Sequence, residues 1–449
     1  KVVPVENLNK IPLGALFDSE LEARFIEALR RLRRDDFQVT VTKDVVNNKP
    51  GYFLQIGNEA YYIEPQVYLG PNDGVSEPSI VDFLFRPARG GKGVKPVAVF
   101  TDGYFYHKDR IGLDMAQRMA IASSNAYHVW SLTWMDVENQ FKNQDKYYVN
   151  YLDPANTPAG ANLGAFLKGY GLDGLLKTHR ENSFDWFVRF LQEPDAAFWG
   201  KYAFSLGLTF LDAKKASDKT KPEDALSIMK ELLPDSMLEV LPELHSPTLQ
   251  GLFRSPEDSK VPLLRVLAMA SGESIKASKQ DGMCFVCLIS DTKDNRGTKG
   301  FERVWNGYLR LYNLFQFLPH TFFLTHEGIE TGVFETVAHG IRESRSSSDR
   351  DDRAASWSDL KEETDSSLHP LLDSFAARRF PLPEAGFELA NHEGVVVASA
   401  ELAWIEYKIA ILRQDELVHA GTFQEAGWAA FELAAILTDP TSFTIDSSV

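Results

Sequence analysis

An α/β layered fold is predicted for the first third of this chain, and three observations carry it. Leu21, Phe25, Ala28, Leu29 and Leu32 recur at three- and four-residue spacing, the buried stripe of a first helix. Two apolar runs follow, Pro78–Phe85 and Val97–Phe100, separated by a Gly/Lys-rich turn as the strands of a hairpin would be. Asp114–Ala122 then reads as a second helix and Tyr127–Trp134 as the next strand, which completes the order helix, strands, helix, strand. The first helix has its start signal in Ser19, an N-cap, with Glu22 three residues on, the spacing of a capping box in which the Glu side chain returns to the cap N–H.

The polar residues inside these apolar runs suggest chemistry. Asp82 interrupts the first run, and Thr101-Asp102-Gly103 with His107 close the second. On adjacent strands these groups would converge at one end of a sheet, the geometry that holds a divalent cation against a phosphodiester. Taken singly, Asp82 reads equally as a strand-end turn residue and His107 as a satisfied surface histidine; their joint occurrence favours a site. Asp114 and Arg118, four apart on the second helix, have the spacing of a solvated ion pair.

The run Phe100-Thr101-Asp102-Gly103-x-Phe105-x-His107, with Asp82 on the preceding strand, resembles the core of the very-short-patch-repair endonucleases, a branch of the PD-(D/E)xK nuclease superfamily, over residues 15–137. That resemblance implies a nuclease-like α/β/α domain. It implies that Asp82 and the main-chain oxygen of Thr101 bind Mg²⁺, with Mn²⁺ as a substitute, and that Asp102 and His107 assist catalysis. It makes Glu22 an acid of the metal shell, against its capping-box reading, and gives Gln117 and Arg118 to DNA. Two departures stand out. Asp102 replaces the family's usual histidine, and Phe100-Thr101-Asp102 lacks the superfamily's lysine.

At 449 residues the chain exceeds what one core usually holds, so several domains are expected: a nuclease-like domain over 1–150, a mostly helical region over 151–340, a mobile linker over 341–365 and a second α/β domain over 366–449. No apolar run is long enough to span a bilayer and no secretory signal is recognised, so a cytoplasmic protein is expected. The initial Lys1 suggests a portion of something longer. The only cysteines, Cys284 and Cys287, lie in an apolar strand-like run and read as reduced core residues, since a zinc site needs two further ligands. The net charge of −16 argues against an autonomous nonspecific DNA binder, but it is uneven. Residues 1–150 carry 18 Lys+Arg against 19 Asp+Glu, and the remainder 29 against 44. Basic spots at Arg30, Arg31, Arg33 and Arg34, and at Arg86, Arg89, Lys92 and Lys95, could meet phosphates, although each reads first as a solvated helix end or a polar hairpin tip; Arg89 and Lys92 are the DNA contacts the turn would supply.

In the middle region, helices are expected near 163–178, 183–191, 195–211, 224–233 and 236–241, with a charged loop over 212–223. The aromatic-rich 301–323 reads as one helix apolar on most faces, more plausibly core than a base-stacking platform. The C-terminal segment carries an echo of the first domain: a helix at 368–378, strands near 386–389, 395–404 and 407–412, and a helix-to-strand end near 423–431. Glu401 would take the place of Asp82, and with Arg413-Gln414-Asp415 standing where Thr-Asp-Gly would, the copy reads as degenerate. Glu406-Tyr407-Lys408 spells acid-x-lysine but reads as a surface charge pair. The pattern from Trp305 to Leu314, with Ala400 to Trp404, is similar to the C-terminal region of large bacterial DEAD/DEAH-box helicases of Druantia-type antiphage systems. No Walker motif occurs, so that resemblance implies an ATPase upstream or in a partner. The expectation is a Mg²⁺-dependent DNA endonuclease module; the alternatives are an inactive nuclease fold that binds DNA or a helicase, and an interaction scaffold.

Overall fold

The computed structural model describes residues 19–33, 37–88, 94–142, 150–211, 227, 230–231, 233–241, 248–255, 263–277, 279–298, 300–342, 357, 360–361, 364–378, 380–390, 396–405, 407–438 and 443. The chain divides into two compact units, residues 1–344 and 345–449.

The first unit opens with α1 (Glu20–Arg31), held at its start by the Ser19 hydroxyl, which accepts from Glu22 N at 3.2 Å. Its apolar stripe, Leu21, Phe25, Ala28 and Leu29, is buried as the spacing requires, and the Phe25 ring meets Phe83 at 5.2 Å. Five antiparallel strands follow: β1 (Val39–Val46), β2 (Lys49–Ile56), β3 (Glu59–Leu69), β4 (Ser79–Pro87) and β5 (Val97–Asp102). The chain then crosses through α2 (Tyr104–His107) and α3 (Ile111–Ser123) to β6 (His128–Thr133), which lies parallel to β5 and completes a six-stranded sheet in sequential order. Thr133 ends β6 and caps α4 (Trp134–Glu138), forming a capping box with Asp136.

The expectation of a mostly helical region over 151–340 needs correction. Helices α5 (Leu163–Gly169), α6 (Ser183–Gln192), α7 (Ala196–Leu208) and α8 (Asp235–Leu238) are present, and residues 212–223 lie outside the described residues. A second, four-stranded sheet then forms from β7 (Thr248–Arg254), β8 (Leu264–Ser271), β9 (Met283–Ile289) and β10 (His320–Thr325). Between these strands come α9 (Gly272–Ala277), α10 (Lys293–Arg296) and α11 (Phe301–Phe315), and α12 (His326–Glu330) follows β10. The aromatic run is therefore not one helix to residue 323. It turns after Phe315, and Phe322 and Phe323 enter β10, because apolar residues at every position suit a strand buried on both faces as well as a helix. Cys284 and Cys287 lie buried in β9. One hydrophobic cluster runs from Leu21 to Ala338, so residues 151–340 share a core with the first sheet.

The second sheet repeats the order β3-β4-β5-β6 of the first: two antiparallel pairings, then a parallel pairing across a helix. Thr325 ends β10 and caps α12 as Thr133 caps α4. The two halves pack reciprocally, with α3 against β10 and α11 against β6. The approach is close: a Cβ at Gly112 of α3 would lie 2.9 Å from Gly328 Cα of α12, so glycine is required there.

Strand β6 is the sheet edge, and α11 closes it. Asn313 accepts from Ser131 N and donates to Ser131 O, both at 2.7 Å. One turn on, Gln316 accepts from Val129 N at 2.8 Å and donates to Val129 O. Two side-chain amides thus do what another strand would do for the unpaired ladder groups.

In the second unit, α13 (His369–Ala377) precedes a four-stranded sheet of β11 (Glu384–Ala390), β12 (Val396–Trp404), β13 (Ile409–Leu412) and β14 (Ala429–Glu432), with α14 (Ala420–Glu425) before β14 and α15 (Leu433–Thr438) after it. The strand order is the same again, with β13 parallel to β14. Ile409 and Ile411 join Leu371, Leu372 and Phe375 of α13, whereas Ala410 and Leu412 join Phe423 of α14 and Trp428, so helices cover both faces. Within the stretch expected to be a mobile linker, Trp357 and Leu360 are helical and buried in this core. Glu406 lies outside the described residues.

Replacing Asn313, which is fully buried, with Leu should strip two buried backbone groups of their partners. At about 1–3 kcal/mol per unsatisfied group, Asn313→Leu is expected to lower stability by about 2–6 kcal/mol in chemical denaturation. A loss below about 1 kcal/mol would show that water or a shifted strand replaces the amide.

Candidate functional site

Of the expected residues, Asp82, Thr101 and Glu22 lie where β3, β4 and β5 approach the start of α1. Asp82 interrupts β4, and its Oδ2 accepts from Thr101 N at 2.6 Å and from Thr101 Oγ1 at 2.9 Å. Burial is the main influence on Asp82 and raises its pKa; the Thr101 N–H opposes this, the charge of Glu22 adds to it, and the group ends at about 7. Glu22 is buried, and its Oε2 accepts from Gln66 Nε2 at 2.9 Å. Its backbone N–H serves the Ser19 cap while its carboxylate turns inward.

Asp102 ends β5 with 1% exposure. Its Oδ1 pairs with the Arg118 guanidinium and lies 3.7 Å from His107 Nδ1. No hydrogen bond reaches its buried Oδ2 among the described residues. Arg118 is itself buried, donates to Ser131 Oγ at 2.7 Å and lies 4.5 Å from the Phe100 ring centre.

His107 Nδ1 lies 2.6 Å from Asp114 Oδ2, and Arg110 Nε donates to the other oxygen of that carboxylate at 2.6 Å. Burial depresses the pKa of His107, but the hydrogen bond to Asp114 and the charge of Asp102 outweigh it, so the pKa lies above the ordinary value. Burial likewise raises the pKa of Asp114, and His107, Arg118 and Arg110 together hold it below the usual carboxylate range. With Nδ1 engaged, Nε2 is the ring nitrogen left to exchange a proton.

Several expectations are corrected. Asp114 and Arg118 are not a solvated pair; both are buried, each with its own counter-charge. Arg118 therefore cannot contact DNA, since a buried guanidinium must keep its partners. Gln117 donates to Pro78 O at 2.9 Å at the surface. Gly103 caps the short helix α2, on which Phe105 and Tyr106 are 73% and 79% exposed beside His107. Arg89 and Lys92 lie outside the described residues.

The register also moves Glu401 away from the place of Asp82. Asp82 is the next residue after the Phe83↔Val99 pair, opposite Phe100, two residues before the Asp102↔Thr133 pairing that ends the parallel ladder. The equivalent positions, counted from Ile289↔Thr325 and Leu412↔Glu432, are Val266, opposite Cys287, and Ala403, opposite Ala410. Glu401 instead pairs with Arg413, whose Nη2 donates to Oε1 at 2.7 Å.

Reasoning from sequence missed Asp114 as the partner of His107, although seven residues spanning a short turn and the start of α3 permit it. It also missed Gln66, for which no local signal exists. Among the described residues no group of three or more His, Cys, Asp or Glu side chains is arranged to hold a metal ion. Asp82, Glu22 and the unpartnered Asp102 Oδ2 nonetheless offer oxygen donors, and these suit Mg²⁺, which retains waters and takes only one or two carboxylates.

Because the pKa of Asp82 is raised, its contribution to stability is full below the unfolded value near 4 and is lost as pH rises through about 7. Asp82→Asn should therefore raise the melting temperature at pH 8 relative to the parent, by on the order of a few kcal/mol equivalent, and change it little at pH 5. Equal shifts at both pH values would contradict the buried carboxylate. Asp114→Asn should lower the His107 pKa seen by imidazole NMR, because the hydrogen-bonded anion that favours the imidazolium is gone; an unchanged titration would dissociate the pair.

No family model matches this chain, and neither does any curated protein or solved structure.

Proposed function

We propose that the first unit is a Mg²⁺-dependent DNA endonuclease module of the very-short-patch-repair type. The observation that carries this reading is a buried, protonatable Asp82 hydrogen-bonded to Thr101 of β5, with an Asp114-oriented His107 a few residues beyond the end of that strand. The strand order behind that junction, antiparallel strands followed by a helix and a parallel strand, supports the same reading. Asp82, the Thr101 main chain and Glu22 would hold the ion. A divalent cation bound there would neutralise phosphate charge and lower the pKa of its water.

The chain's own groups account for the rest. Asp114 fixes the His107 ring, and Nε2 delivers a proton to the leaving oxygen near neutral pH. Arg118 holds Asp102 beside the histidine. Exposed Phe105 and Tyr106, with Lys108 4.9 Å from the Phe105 ring centre, offer bases a stacking face next to that proton donor. In a larger helicase-nuclease antiphage protein, an upstream or partner ATPase would supply the DNA strand.

A second reading, an inactive nuclease fold that only binds DNA or a helicase, is favoured by the Arg118–Asp102 pair, which engages one oxygen of a would-be catalytic carboxylate. Cleavage separates the two. Asp82→Asn should reduce Mg²⁺-dependent cleavage of plasmid and linear duplex roughly 10³-fold. His107→Ala should reduce it about 10²–10⁴-fold with DNA affinity retained. No cleavage by the parent under Mg²⁺ or Mn²⁺, with DNA still bound, would establish the second reading.

A further inference from the structure

Gln66 is the one residue of β3 whose backbone lies in the left-handed region, at φ 52°. A glutamine there, in the middle of an eleven-residue strand, is strained and persists only where its surroundings impose it. Its place is specific. The ladder pairs Pro65 with Phe83 and Val67 with Val81, so Gln66 stands opposite Asp82 at the single position between them. Its amide reaches the helix that packs on this sheet and donates to the buried Glu22 carboxylate at 2.9 Å. Across the same end of the sheet, Asp102 keeps a buried, unpartnered Oδ2. The charges of Glu22 and Asp102 both act on the buried Asp82 carboxyl and favour its protonated form.

We propose that Gln66 is a positioning residue of the cation site: its strained backbone aims the amide so that Glu22 is held toward Asp82 as an oxygen ligand for a divalent ion. The proposal rests on the metal-dependent reading above. Neutral donors of this kind orient ligating carboxylates from outside the coordination shell, and losing one typically costs about 10–100-fold in metal affinity. The alternative is a strand irregularity without a role in ion binding.

Mn²⁺ alone serves as the probe, titrated into the full chain and followed by electron paramagnetic resonance. Gln66→Gly tolerates the positive φ and removes only the amide, so the fold should be retained, as circular dichroism will verify. Gln66→Gly should weaken Mn²⁺ binding about tenfold in the parent background and less than about twofold in a Glu22→Gln background, because the amide acts through that carboxylate. Equal losses in both backgrounds, or no loss in either, would overturn the role of Gln66 while leaving the metal reading intact. Absence of Mn²⁺ binding by the parent protein would overturn the metal reading itself and the role of Gln66 with it.

Discussion

The buried ion pair between Asp102 and Arg118 is the constraint on which the first unit depends. It joins the last residue of β5 to the middle of α3, and Arg118 extends the link to Ser131 of β6. The carbonyl of Arg118 accepts from Tyr312 of α11 at 3.0 Å, so the second sheet's helix is tied to the same point. A pair this deep gives little net stability over an apolar substitute, yet removing one partner strands a charge and costs about 3–5 kcal/mol. Its consequence is geometric: it fixes the end of β5 and the start of α3, the two supports between which α2 carries His107.

The edge of β6 obeys the same rule of satisfying what is buried. Asn313 and Gln316 sit one turn apart on the face of α11 that meets β6, and each matches one residue of the strand. This binds the two sheets of the first unit into one core, and it brings α2 under the influence of the second sheet's helices. Tyr104 donates to Arg296 O at 2.9 Å, and Arg296 in turn pairs with Glu327 at 2.5 Å.

Three sheets share one strand order, but only the first carries an acid at the register position of Asp82. Val266 and Ala403 occupy the place of Asp82 and are almost wholly buried. A carboxylate at such a position is costly to ionise: burial raises the pKa of Asp82 even though Thr101 donates to it twice. Apolar residues pack the same place without that penalty.

The sequence by itself determined α1, α3 and three strands of the first sheet, β4, β5 and β6, and a sheet in the C-terminal segment, because periodicity and short-range order are local properties of the chain; it did not reveal β1, β2 and β3. It hid the second sheet, since apolar runs such as Met283–Ile289 and Phe301–Phe323 have no periodicity that separates strand from buried helix. Only the tertiary structure decided that Arg118 belongs to Asp102, that Asp114 belongs to His107, that Glu22 meets Gln66, and that Glu401 is out of register with Asp82. Each of these is a contact across elements, set by how a buried charge or an unpaired backbone group finds its partner in three dimensions, and spacing along the chain carries no record of it.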